Sequence, residues 1–224
     1  GIYAVLDPKG SLFVHIDERT HARLRLMLDE IFTPAGFRNE IIWAYQTGGR
    51  ATRHFSRKHD TILFYAKSPH AYFDAMQAAV PRAQARANHM KRAVDEEGRA
   101  YRAIRSGGKI YRYYDDEGVP PSDVWEDIAH LQQRDPERTG YPTQKPLRLL
   151  ERIVRCASRP GDTVMDTFAG SGTTLEAAFR LGRAFIGMDS SPEALKTVRA
   201  RLKDAEMTVR MEDGGIEPAS RAQE

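Results

Sequence analysis

The chain has 224 residues, 41% of them hydrophobic, and its 34 Lys and Arg nearly balance 31 Asp and Glu. That is one large domain, or one domain carrying an insertion, of ordinary globular composition. No apolar run approaches the roughly 20 residues of a membrane span, and no signal peptide opens the sequence. The single cysteine, Cys156, excludes an internal disulfide framework and fits a reducing, cytoplasmic compartment.

Residues 1–10 read as the end of a helix and a turn at Asp7-Pro8-Lys9-Gly10. Ser11 to Ile16 is a short apolar strand that ends at Asp17. Residues 18–33 form an amphipathic helix with Leu24, Met27, Leu28, Ile31 and Phe32 on one face. Phe37 to Tyr45 is a second strand, residues 46–58 are a polar loop, and residues 61–66 are a third strand. Residues 69–125 break this pattern. Past Pro146 a helix turns Leu147, Leu150, Ile153, Val154 and Ala157 toward a core, and Cys156 within it reads as a core thiol. A strand at 163–166, a helix from Thr173 to Gly182, a strand at 184–188 and a helix opened by Ser191-Pro192-Glu193 follow. Leu195, Val198 and Leu202 of that last helix point inward, residues 207–210 are one more strand, and the polar tail 212–224 is expected to be disordered. There is no internal repeat.

Asp166-Thr167-Phe168-Ala169-Gly170-Ser171-Gly172-Thr173-Thr174 joins a buried strand to a helix through a glycine turn. Gly170 and Gly172 allow positive φ and let a ligand approach the backbone. The next strand ends on Asp189, where dinucleotide folds hold ribose hydroxyls. Asp166 sits on the tip of the first strand, where its carboxylate would repel a pyrophosphate but suit a cationic ligand. That favours S-adenosylmethionine over NAD. A turn serving only helix–strand packing is the simpler alternative.

Between Arg82 and Arg112 stand nine Lys and Arg and three acids, with Tyr101, Tyr111, Tyr113 and Tyr114 in or beside the run. Basic side chains neutralise phosphates and aromatic rings stack on unpaired bases, so this region points to nucleic acid. The alternative is a solvated, partly flexible insertion. The seven His are scattered and there is one Cys, so no metal site is expected.

These pieces resemble the site-specific DNA methyltransferases that act on an exocyclic amino group, in the permuted group whose cofactor motif follows the catalytic half. Gly10-Ser11-Leu12-Phe13-Val14-His15-Ile16-Asp17 is similar to the family's fifth motif. Arg57-Lys58-His59-Asp60-Thr61-Ile62-Leu63-Phe64-Tyr65 is similar to the eighth. Residues 139–146 resemble the motif before the cofactor turn, and 166–174 the turn itself. The resemblance implies a Rossmann-like α/β methyltransferase fold: a mostly parallel twisted sheet flanked by helices, with an inserted target-recognition region. The catalytic half would span 1–69, the insertion 70–122 and the cofactor-binding half 123–211.

The resemblance also implies roles. Asp166, Phe168, Ala169, Gly170, Ser171, Gly172 and Thr173 would hold S-adenosylmethionine, and Asp189 its ribose. Thr143, Gln144 and Lys145 would close over it. Arg53, Arg57, Lys58, Lys91, Arg92, Arg102, Arg105 and Lys109 would contact double-stranded DNA, and Phe55 would border a pocket for a flipped base. His15 and Asp17 are open between a pocket role and local strand-end hydrogen bonds. A homodimer or a restriction subunit is a further partner to consider, in a prokaryotic or phage-type cell.

One departure stands out. The family's catalytic tetrad, a polar residue, two prolines and an aromatic, accepts hydrogen bonds from the target amino group and stacks on the flipped base. No such tetrad occurs in this sequence, and Asp7-Pro8-Lys9-Gly10 is the nearest string. An N-terminally incomplete chain is the first account, ahead of a split enzyme and a degenerate homologue. The expected activity is methyl transfer to adenine N6, with cytosine N4 second. A non-catalytic subunit that binds DNA and cofactor, and a nicotinamide enzyme on a similar fold, are the alternatives.

Overall fold

The computed structural model describes residues 1–46, 51–81, 90–203, 205, 207–209 and 215–218. Residues 47–50 of the polar loop, Arg82 and Arg86 of the basic run and most of the tail lie outside the described residues. The chain divides into two units, Gly1–Phe73 with Asp123–Glu224, and Asp74–Ser122.

The first unit begins with α1 (Ile2–Val5), β1 (Ser11–Ile16), α2 (His21–Phe32), β2 (Phe37–Ala44) and β3 (His59–Ala66). The second unit follows, with β4 (Val80–Pro81), β5 (Arg92–Val94), β6 (Ala100–Ser106), β7 (Lys109–Tyr114) and β8 (Gly118–Val119). The chain then returns to the first unit through β9 (Val124–Trp125), α3 (Leu147–Ala157), β10 (Thr163–Asp166), α4 (Thr173–Arg180), β11 (Ala184–Met188) and α5 (Pro192–Arg201). It ends in β12 (Met207–Val209) and β13 (Gly215–Pro218).

The first unit holds two four-stranded sheets, ordered β1-β3-β2-β9 and β10-β11-β13-β12. In the first, β3 lies antiparallel between β1 and β2, and β9 is parallel to β2. β1 and β2 therefore run in one direction with α2 as their crossover. Thr61 to Ala66 of β3 are all buried, as an unbroken apolar run in a central strand requires. Leu28 and Phe32 of α2 pack with Leu63 and Tyr65 on one face. Trp43, Ile62, Phe64, Trp125, Ile128 and Leu149 of α3 fill the other. The Trp43 indole N–H donates to Ile128 O at 2.8 Å, which satisfies its buried polar group.

In the second sheet β10 and β11 are parallel, with α4 as crossover. The face toward the helices buries Ala169, Leu175, Ala178, Phe185, Val198 and Leu202. The expected mostly parallel sheet is corrected: two of the six pairings in these sheets are parallel. Parallel pairing needs a crossover of a dozen or so residues. Five residues separate β12 from β13, too few for one, so these strands pair antiparallel.

Three further expectations change. The tail is not disordered throughout, because residues 215–218 form β13 beside β11. In α2, Leu24, Leu28 and Phe32 face the core at four-residue steps, while Met27 and Ile31 are exposed. In α3 the fully buried leucine is Leu149, which the sequence pattern passed over.

The second unit is built on an antiparallel sheet ordered β5-β6-β7, with β4 paired to β8. Gly107 and Gly108, at φ 58° and 77°, make the two-residue turn between β6 and β7. The Tyr101 and Tyr114 rings pack 5.6 Å apart across that hairpin.

Candidate functional site

The first candidate site is the glycine turn between β10 and α4. The Gly170 N–H donates to Asp189 Oδ2 at 2.8 Å, and the Ser191 N–H donates to Asp189 Oδ1 at 2.8 Å. The Ala169 N–H donates to Met188 O at 2.9 Å. One carboxylate therefore fastens the turn to the end of β11. Gly170 and Gly172 have φ of 50° and 74°. A Cβ at Gly172 would stand 2.8 Å from Val198 Cγ2, and one at Gly170 would stand 3.2 Å from Tyr141 Cε1. Packing thus requires glycine at position 172, while at 170 the left-handed φ and the close Tyr141 ring disfavour a side chain. Ala169, Ser171 and Thr173 are buried beneath the turn, while Phe168 is 86% exposed on its outer side. The Phe168 N–H donates to Asp166 Oδ1 at 3.0 Å, which holds that carboxylate at the strand tip.

A loop at 137–146 faces this turn. Thr173 Oγ1 donates to Lys145 O at 3.3 Å. Gln144 is buried, and its amide is spent inside the loop: Oε1 accepts from Thr139 N and Oγ1 at 2.8 and 2.9 Å, and Nε2 donates to Glu137 O at 2.8 Å. Gln144 therefore shapes the loop through its side chain. Thr143 is exposed with φ 61°, a left-handed conformation unusual for a β-branched residue. Lys145 Nζ donates to Thr143 O at 3.0 Å. Burial pulls the Lys145 pKa below its ordinary value, and the charge of Asp60 offsets part of that drop.

Asp60 belongs to a second polar group, where β1 and β2 end and β3 begins. His15 Nε2 lies 2.9 Å from Asp60 Oδ2, and Tyr45 OH donates to Asp60 Oδ1 at 3.1 Å. Burial raises the Asp60 pKa, but the hydrogen bonds and charge from His15, with Tyr45 and Lys145, outweigh it and hold the carboxyl below its ordinary value. Burial, with Asp60 beside it, pushes the Tyr45 phenol up to about 12. His130 stacks on Trp43 at 5.8 Å and its ring lies 5.3 Å from that of Tyr45. Asp17 instead takes up Arg19, a local strand-end contact.

The expected basic residues divide. Arg57 pairs with Glu18 at 2.9 Å, Arg92 with Asp115 at 2.7 Å, and Arg102 approaches Asp115 at 3.8 Å with its side chain only 20% exposed. These three are tied to acids. Arg53, Lys91, Arg105 and Lys109 are exposed and make no ion pair among the described residues. Lys58 is half-buried. Phe55 is 98% exposed in the loop before β3. Among the described residues no group of His, Cys, Asp or Glu could hold a metal ion, and no helix is long and apolar enough to cross a membrane.

With this geometry in view, residues 1–200 match a family model described as DNA methylase. The chain belongs to the DNA methylase family. It is 33% identical to the type II methyltransferase M.BglII of Bacillus subtilis over 198 residues, which is 85% of this chain and 51% of that protein. It is 29% identical to the DNA adenine methyltransferase YhdJ of Escherichia coli (strain K12) over 89% of this chain and 63% of that one. The chain thus spans about half to three fifths of the length of those relatives. Its fold is similar to the crystal structure of the M1.HpyAVI-SAM complex, with a TM-score of 0.59, 21% identity, and coverage of 90% of this chain and 78% of that one.

Of the residues expected at the cofactor, Asp166, Phe168, Ala169, Gly170, Ser171, Gly172 and Thr173 lie along the β10–α4 turn, Asp189 is bonded to it from the end of β11, and Lys145 stands across from it. As site residues, sequence reasoning passed over Tyr141, which stands against Gly170, Tyr45, beside Asp60, and His130, beside Tyr45. It also passed over Glu137, Glu176 and Arg201. The antiparallel register pairing His15 with Ile62 sets His15 near the start of β3, where Asp60 stands. An acid opening β3 was therefore a signal that the sequence carried.

Proposed function

We propose that this DNA methylase family member binds S-adenosylmethionine at the β10–α4 turn. Its methyl group goes to the exocyclic amino group of a base flipped out of duplex DNA, adenine N6 ahead of cytosine N4. The observation that carries the reading is the Asp189 carboxylate bound to the Gly170 N–H beside the Asp166 strand tip. Each Asp189 oxygen takes one backbone N–H, and a carboxylate offers about four acceptor sites, so lone pairs remain for ribose hydroxyls. Asp166 has one oxygen outside its bond to Phe168 and suits a cation. The Asp166 carboxylate at the strand tip disfavours the pyrophosphate of NAD.

When bound, S-adenosylmethionine supplies an electrophilic methyl group. The chain's own residues position and desolvate. Phe168 offers an exposed ring at the turn, and the 137–146 loop with Lys145 forms the opposing lip. The target nitrogen's lone pair is delocalised into its ring, and the base must leave the stack to be reached. Catalysis then rests on alignment and electrostatics. Arg53, Lys91, Arg105 and Lys109 are the proposed DNA contacts, with Phe55 at the flipped base. The proposed setting is a reducing intracellular compartment, where buried Cys156 remains a thiol.

A second reading, a chain that binds cofactor and DNA but transfers nothing by itself, is favoured by one observation. The sequence contains no polar-Pro-Pro-aromatic tetrad. Calorimetry separates cofactor binding from transfer. S-adenosylmethionine is expected to bind, NAD to give no heat, and Asp189→Ala to weaken binding at least about tenfold, the scale of a lost charge-assisted bond. A folded chain that prefers NAD, or binds neither, sinks the cofactor reading. Methyl transfer to duplex DNA, read with labelled cofactor, then decides between enzyme and non-catalytic subunit.

A further inference from the structure

Arg201, the last residue of α5, is an interior cation outside the proposed cofactor contacts: its side chain is 6% exposed. Its Nε–H donates to the Glu176 carboxylate of α4. Its Nη1 donates to Ser171 O of the glycine turn at 3.4 Å, and its Nη2 lies 3.3 Å from Glu137 Oε1. One planar guanidinium thus spans α4, the turn and the facing loop.

Glu137 is the loop's own anchor. Its Oε1 accepts the Leu147 N–H at 2.7 Å at the start of α3, and its carbonyl accepts Gln144 Nε2 at 2.8 Å. The one hydrogen bond that runs directly from the turn to this loop among the described residues is Thr173 Oγ1 to Lys145 O, at 3.3 Å. Arg180 also reaches Glu176, at 2.5 Å, so the acid is neutralised from two sides and Arg201 is not required for charge balance alone. A guanidinium can reach three acceptors in fixed directions at once, which a lysine ammonium cannot do in the same geometry.

We infer that Arg201 is a positioning residue that holds the 137–146 loop at a set distance from the glycine turn, and so preforms both lips of the cofactor pocket. This rests on the cofactor reading above. Preorganisation of this kind raises affinity by lowering the ordering that binding requires.

The test uses the pair R201M with E176Q, because removing both partners of a buried pair avoids leaving a lone buried charge. R201K and E176Q alone are the companions. The double variant is expected to keep its melting temperature within a few degrees. Its S-adenosylmethionine affinity is expected to fall at least about tenfold, the fold-change of a lost preformed contact. R201K should also bind weakly, and E176Q nearly normally. Amide hydrogen exchange supplies an independent readout. The Thr139 and Leu147 amides, bonded to Gln144 and Glu137, should exchange faster in the double variant, with β10 and β11 unchanged. A double variant with parental affinity overturns the inference, as does a loop whose exchange does not change. If the parent itself fails to bind S-adenosylmethionine, the cofactor reading falls, and the exchange result still decides whether Arg201 sets the loop.

Discussion

A methyl group added at Gly172 meets Val198 Cγ2 at 2.8 Å, and the residue's φ of 74° already disfavours any side chain. The two effects act together, so Gly172→Ala is expected to destabilise the chain by about 1–3 kcal/mol in urea unfolding. Parental stability would mean that α5 withdraws without cost. Asp60 gives a test through pH. Its folded pKa lies below the ordinary 3.8, so its contribution is present above that value and is lost as pH falls through the folded pKa. Asp127, held down first by its hydrogen bonds to Arg152, acts with the same sign. Asp60→Asn should therefore flatten, without abolishing, the loss of stability that sets in below about pH 5. An acid limb as steep as the parent's would remove Asp60 from this account. At this scale the turn glycines and Asp189 were legible, because backbone geometry admits few residue types there. Arg201 was not, because residues 25 and 64 positions apart meet only once α4 and α5 have packed.

Among the elements, β6 and β7 stand apart because residues 104–112 are exposed on both faces of their ribbon. A two-stranded ribbon fits a major groove about 12 Å wide but not a minor groove about 6 Å wide. Arg105 and Lys109 flank its glycine turn without an ion pair among the described residues, whereas Arg92 and Arg102 are engaged by Asp115. The double variant Arg105→Ala with Lys109→Ala should therefore weaken duplex binding and lower the slope of log affinity against log salt by about two, since each phosphate contact adds about 0.9. Arg102→Ala should instead lower thermal stability. A salt slope unchanged in the double variant would place the DNA surface elsewhere. Sequence composition located this region by charge but not its hairpin, because only the Gly107-Gly108 pair marks the turn. β1, β2, β3, β10 and β11 of the first unit were legible as apolar runs, and the two-residue β9 was not. β13 was not, since a polar segment becomes a strand there by pairing with β11 and β12.

At the scale of the molecule, the glycine turn belongs to one compact unit and the exposed basic hairpin to the other. A ligand that binds only the folded form at 100 times its Kd stabilises by about 2.7 kcal/mol, which slows exchange through global opening about a hundredfold. Saturating S-adenosylmethionine should therefore slow the amides of β10, β11 and the turn residues Ala169, Gly170 and Gly172. Amides of β5, β6 and β7 should stay within about twofold if their unit opens independently. A short duplex should do the reverse and protect the β6–β7 ribbon first. Exchange followed in parallel with each ligand decides this. Equal slowing in both units by S-adenosylmethionine would mean that they unfold as one cooperative body. The polar group of His15, Tyr45 and Asp60 would then be coupled to DNA binding through the fold itself, and the separation of cofactor chemistry from target reading would have to be given up.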